Sequence, residues 1–78
     1  MERRTIPRHR VLKVGSIEFD GGTVGCTIHN VSEIGAGVEV ASPLGIPHEV
    51  TLNILNWHAR QHGYIVWRKE KRMGVTFA

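Results

Sequence analysis

The feature that most constrains this chain is an apolar–polar alternation with a period of two, broken about every ten residues by glycine or by Asn, Asp and Ser. Val24, Cys26 and Ile28 fall on one face of a strand, with Thr27 and His29 on the other. Val38 and Val40 repeat the pattern, as do Val50, Leu52 and Ile54 against Thr51 and Asn53, and then Met73, Val75 and Phe77. No segment carries a helical period. The sequence therefore predicts six short antiparallel strands. In the first, from about Val11 to Phe19, the apolar phase slips from Leu12 and Val14 to Ile17 and Phe19, which predicts a bulge or bend at Gly15. "DGG" at 20–22 supplies the positive-φ residues of a hairpin turn, and "SPLGIP" at 42–47 reads as loop. "NWHARQHG" contains a turn before a fifth strand ending "YIVW". Six strands with exposed edges invite aggregation, so closure into a small all-β barrel is the economical architecture, with no C-terminal helix after it.

A chain of 78 residues makes one domain near the lower limit for an independent core. The single cysteine, Cys26, excludes an internal disulfide framework and multi-cysteine zinc patterns, and reads as a small buried hydrophobe in a reducing compartment. No apolar run is long enough to cross a bilayer as a helix, and the charged N-terminus has no apolar segment behind it. A cytoplasmic protein is expected. The net charge of +3 conceals an asymmetry. Residues 1–13 carry five cations against Glu2, and "RKEKR" at 68–72 carries four against Glu70. Between them Arg60 faces five acids, Glu18, Asp20, Glu33, Glu39 and Glu49. A fold that brings the two ends together would make one basic face suited to phosphate.

Two short motifs carry chemistry. Arg4 and Arg8 stand as Arg-x-x-x-Arg in a segment, residues 1–10, that reads as a flexible basic arm before the barrel of residues 11–78. "NVSEIG", Asn30 to Gly35, follows as Asn-x-Ser-x-x-Gly between two strands. Either alone is weak. Their order and separation, the six-strand pattern and the closing "RMGVTF", with Gly74 and Phe77, make the chain resemble the PilZ domain family of bacterial cyclic di-GMP receptors over about residues 3–78.

The resemblance implies a ligand with two phosphodiesters and two guanines. Guanine presents O6 and N7 side by side, and an arginine fork matches that edge with two parallel hydrogen bonds. Phosphate oxygens accept from the same guanidinium geometry with charge assistance. Carried over, Arg4 and Arg8 are the clamp, and Asn30, Ser32 and Gly35 are the surface against a guanine. The Asn30 carbonyl would accept from a guanine N–H, Ser32 would donate or accept, and Gly35 would let the backbone turn with positive φ close to the ligand. Arg3 and Arg10 are auxiliary candidates. Position 30 is Asn where the family often has Asp, and Pro7 before Arg8 biases Ile6 toward extended geometry. Ligand binding would order the arm and change the surface shown to a protein partner or to a second copy.

The remaining residues read more plainly. Trp57 and Trp67 are expected to pack in the core or at the rim, with Trp67 kept as an auxiliary ligand contact because it precedes the second basic cluster. "RKEKR" reads as a solvated hairpin turn that could enlarge the phosphate-attracting field. His58 and His62, four apart, are expected in a β-hairpin context with no carboxylate or cysteine partner nearby, so no metal or other cofactor is expected. No Ser/His/Asp order, paired carboxylates or phosphate-cradling loop suggests catalysis, so binding is expected and not turnover. Two alternatives remain open: a PilZ-like adaptor that binds a protein without nucleotide, and a small basic nucleic-acid-binding barrel.

Overall fold

A computed structural model describes the backbone of residues 9–55 and 59–78, and the side chains of residues 13–55 and 59–78. Six strands form: β1 His9–Phe19, β2 Gly22–Val31, β3 Gly35–Glu39, β4 Glu49–Ile54, β5 Ala59–Lys69 and β6 Arg72–Phe77. All pairings are antiparallel, and the sheet closes as a barrel in the order β1-β2-β3-β6-β5-β4. Closure removes the open edges that the alternation left to be satisfied. β1 begins two residues ahead of the expected start, and β5 starts at Ala59, inside the segment expected to contain a turn.

Every strand contributes to the interior. Ile17, Ile28, Val38, Leu52, Ile65 and Met73 are all buried, and all of these but Ile65 are 0% exposed. Each such aliphatic side chain withdrawn from water stabilises the fold by about 1.5–3 kcal/mol. Cys26 joins this core as expected, and burial pushes its thiol up to about 11. The hairpins turn where the sequence indicated. Asp20 and Gly21 take φ of 50° and 78° between β1 and β2, and Glu70 takes 56° between β5 and β6.

The expected slip at Gly15 does not occur. Gly15 is itself an inward position in phase with Ile17, and Val14 faces solvent at 63% exposure. A Cβ on Gly15 would lie 2.6 Å from Ile28 Cδ1 and 2.6 Å from the Asn53 carbonyl oxygen. Ile28 from the neighbouring strand β2 fills the space that an inward side chain at 15 would take. The irregularity in β1 lies instead between Arg10 and Lys13.

The β3–β4 connection must pass β6 and β5, which separate those strands in the sheet. It is tied down on the way. Val40 N–H donates to the Lys71 carbonyl at 2.9 Å, Ile46 is buried in the core, and Ile65 N–H donates to the His48 carbonyl at 2.8 Å. Arg68 completes the attachment, donating from Nη2 to the carbonyls of Ile46 (2.6 Å) and Pro47 (3.2 Å) and from Nη1 to that of Pro43 (3.3 Å). The second basic cluster is thus not a uniform solvated field. Its first arginine is spent on backbone carbonyls.

Candidate functional site

The Asn-x-Ser-x-x-Gly residues build the turn that joins β2 to β3. Ser32 N–H donates to the Gly35 carbonyl at 2.8 Å, and the Ser32 hydroxyl accepts from Ile34 N–H at 3.3 Å. Gly35 does not have the positive φ expected of it; among the described glycines only Gly21 and Gly45 do. What requires glycine at 35 is the approach of β6. A Cβ there would stand 2.3 Å from the Val75 carbonyl oxygen, far inside van der Waals contact. Ser32 and Gly35 therefore hold the strand ends in place beside Asn30.

Asn30 begins the arrangement that the sequence did not disclose. It pairs with Gly37 on β3, Gly37 pairs with Gly74 on β6, and Gly74 pairs with Trp67 on β5. On its other side Asn30 pairs with Arg10 of β1. One rung thus crosses five strands. The two central glycines leave the outer wall bare, and the flanking side chains lie across them. A Cβ on Gly37 would meet the Asn30 amide at 2.9 Å, and one on Gly74 would meet the Trp67 indole Nε1 at 2.0 Å. Bulges near His29 and Val66 bring Asn30 and Trp67 into this register. Trp67 is 48% exposed, so it is not a core residue: its ring rests on Gly74 on the outer wall and remains open to solvent.

The next rung on the same face carries charge. Glu39 pairs with Thr27 and Arg72. His29 Nε2 lies 2.8 Å from Glu39 Oε1, and Arg72 Nε lies 3.5 Å from the same oxygen. A carboxylate only accepts, so His29 Nε2 carries the hydrogen. This bond from His29, opposed by partial desolvation and assisted by the Arg72 charge, holds the Glu39 carboxyl below the usual carboxylate range.

The barrel wall on the β1 and β4 side has a different character. Arg60 and Asn53 both donate to Glu18 and lower its pKa, and His62 lies 2.6 Å from Glu49. A surface hollow of about 410 Å³ there is bordered by Glu18, Asp20 and Glu49. Three carboxylates make that hollow hostile to a phosphodiester. Among the described residues no three His, Cys, Asp or Glu side chains gather as metal ligands. No helix there is long and apolar enough to cross a membrane.

The clamp candidates Arg3, Arg4 and Arg8 lie outside the described residues, as do Trp57 and His58. For Arg10 the backbone alone is described. Chain connectivity still attaches the arginine-bearing segment at His9, whose backbone pairs with Val31, next to Asn30 and Ser32.

The family model of the PilZ domain matches residues 2–78, essentially the whole chain. The chain belongs to the PilZ domain family. PilZ domains are cyclic di-GMP-binding modules and not a family of enzymes. The fold has a counterpart in a crystal structure of an uncharacterized protein of Legionella, with a TM-score of 0.62 at 19% identity. That match covers 91% of this chain and 75% of the other. No curated protein matches the sequence. In this PilZ domain the two motif residues Ser32 and Gly35 shape the β2–β3 turn, while Asn30 lies on the outer wall beside an aromatic ring that neither paired motif includes.

Proposed function

We propose that this PilZ domain binds cyclic di-GMP on the outer face of β2, β3, β6 and β5. The observation that carries the reading is the rung Arg10–Asn30–Gly37–Gly74–Trp67. It sets a hydrogen-bonding amide and an open indole over two glycines, next to the strand into which Arg4 and Arg8 lead. Guanine stacks on the Trp67 ring through its π face, while the Asn30 amide meets a polar edge. Arg4 and Arg8 close from the other side, forking to guanine O6 and N7 or to phosphate oxygens. Arg3 and Arg10 extend the same cationic edge. The hollow bordered by Glu18, Asp20 and Glu49 is less suited to a dianion than the rung, which carries no carboxylate.

Binding orders the N-terminal segment against the barrel, and the altered surface is what a protein partner or a second copy recognises. A nucleotide-independent adaptor role has one observation in its favour. Ser32 and Gly35 have structural work in the turn, so those two residues would serve the fold with no ligand at all. Against a nucleic-acid-binding role stands Arg68, whose guanidinium is engaged by loop carbonyls.

Calorimetric titration with cyclic di-GMP at physiological salt separates these readings. Saturable heat that Arg8→Ala abolishes, with no response to a single-stranded oligonucleotide, supports the receptor. Absence of heat and of any Tm shift at about 100 μM ligand, where signalling affinities would saturate, leaves the adaptor reading.

A further inference from the structure

The cyclic di-GMP reading assigns Asn30, Trp67 and the N-terminal arginines, and leaves Arg72 without a role. We propose that Arg72 is a further phosphodiester-binding residue, held beside the Trp67 shelf by Glu39 and released to the ligand when it arrives; the inference rests on the nucleotide reading above. Arg72 and Gly74 are two apart on β6 and share the outer face, so Arg72 roots about 7 Å from the glycine beneath the indole. A phosphodiester joined to a base on that indole comes within reach of the guanidinium. Arg72 is half-exposed, and its one polar contact among the described residues runs from Nε to Glu39 at 3.5 Å. The two terminal nitrogens make no other contact there, so their fork toward phosphate is intact.

The triad is built so that Arg72 can leave while Glu39 keeps its principal partner, losing only the lesser support of the Arg72 charge. His29 already donates to the same carboxylate oxygen at the shorter distance of 2.8 Å, and His29 is the more buried partner. Glu39 therefore keeps a hydrogen bond when Arg72 turns to a phosphate. In the unliganded protein the carboxylate neutralises a cation that would otherwise stand uncompensated beside the shelf. A dianionic ligand outcompetes one carboxylate already shared with a histidine. Glu39 is thus a positioning residue that restrains the binding residue Arg72. Lys69, one strand further along the same rung, is a point charge without the fork.

The test is a double-mutant cycle by calorimetric titration with cyclic di-GMP, using the full chain as wild type, Arg72→Ala, Glu39→Gln and the double variant, each at low and high salt. Arg72→Ala is expected to weaken binding about tenfold and to flatten its salt dependence, as loss of an exposed cation should. Glu39→Gln is expected to tighten binding about threefold by releasing the guanidinium. The double variant should bind like Arg72→Ala alone. Arg72→Lys should recover the salt dependence but not the full affinity, and thermal melts confirm that each variant is folded. Binding by Arg72→Ala within about twofold of wild type overturns the proposal. A Glu39→Gln gain that persists without Arg72 overturns the positioning role, because the effect would then be charge acting through space. Failure of the wild type to bind at all defeats the nucleotide reading itself and this inference with it. That outcome is distinct from a wild type that binds and variants that do not differ.

Discussion

Gly74→Ala tests whether the indole on the outer wall is a ligand surface. The added methyl would stand 2.0 Å from Trp67 Nε1, whereas ordinary contact begins near 3.4 Å, so the ring must retreat by at least about 1.4 Å. Trp67 is 48% exposed and hinged on rotatable bonds, so it can swing outward without moving either strand. The fold then loses only the packing of the indole on Gly74, an effect of about 1 kcal/mol, partly offset because alanine suits a strand better than glycine. Ligand binding loses its stacking partner, which is worth about 1–3 kcal/mol for a base on an aromatic ring. The expected result is a fall in cyclic di-GMP affinity of about 5- to 150-fold. Calorimetry reads the affinity, and indole emission in a Trp57→Phe background reports the ring's displacement. A variant whose emission shows the ring displaced, yet binds within about twofold of the parent, would refute the reasoning.

The same arithmetic at Gly35 gives a different answer. There the methyl meets a backbone carbonyl at 2.3 Å, so Gly35→Ala must push β3 from β6 and is expected to cost about 1–3 kcal/mol, read as a Tm fall of about 5–20 °C. An unchanged Tm would contradict the close-packing account. Arg68→Ala strips charged donors from the Pro43, Ile46 and Pro47 carbonyls; hydrogen exchange at Ile46 N–H should accelerate, and no acceleration would mean the loop is held otherwise. Cys26, with its thiol pushed up to about 11 by burial, should resist a thiol reagent at pH 8 until the protein unfolds; rapid native labelling would show the core to be open. The lowered carboxyls of Glu18 and Glu39 give the pH dependence a sign. Their stabilisation is present above the ordinary carboxylate pKa and is lost as pH falls through the lowered values. Acid melts of Glu18→Gln with Glu39→Gln should therefore show a smaller Tm loss below about pH 4.3 than wild type, and parallel curves would remove the two pairs from the account.

Strand identity could be read from the sequence because nearly every inward position is aliphatic and its neighbours are polar. Val38, Leu52 and Met73 follow that rule and are buried. Gly15 broke the reading because its inward space belongs to Ile28, a residue 13 positions away on the neighbouring strand β2. The rung at the site was hidden for a related reason. Asn30 and Trp67 meet the glycines only through two bulges, and a bulge shifts cross-strand register without leaving a strong mark in composition. Gly37 and Gly74 were a weak signal, because an outward strand glycine can mark a place where a side chain lies on the sheet, yet Gly25, also outward on β2, has nothing over it. Arg68 looked like part of a basic patch because its carbonyl partners come from the β3–β4 loop, more than twenty residues earlier. The paired motifs, by contrast, pointed to the family directly, and the family match spans residues 2–78.

The central claim is that nucleotide binds on the β2–β3–β6–β5 wall, and NMR titration tests it residue by residue in a chain of this size. With cyclic di-GMP added to saturation, the account predicts that the Trp67 indole N–H, the Asn30 side-chain amide and the backbone amides of Gly37 and Gly74 shift together, while Thr23 and Thr51 on the carboxylate-lined wall stay in place. Shifts concentrated at Glu18 to Gly22 and Thr51, or no shift anywhere at saturating ligand, would contradict it.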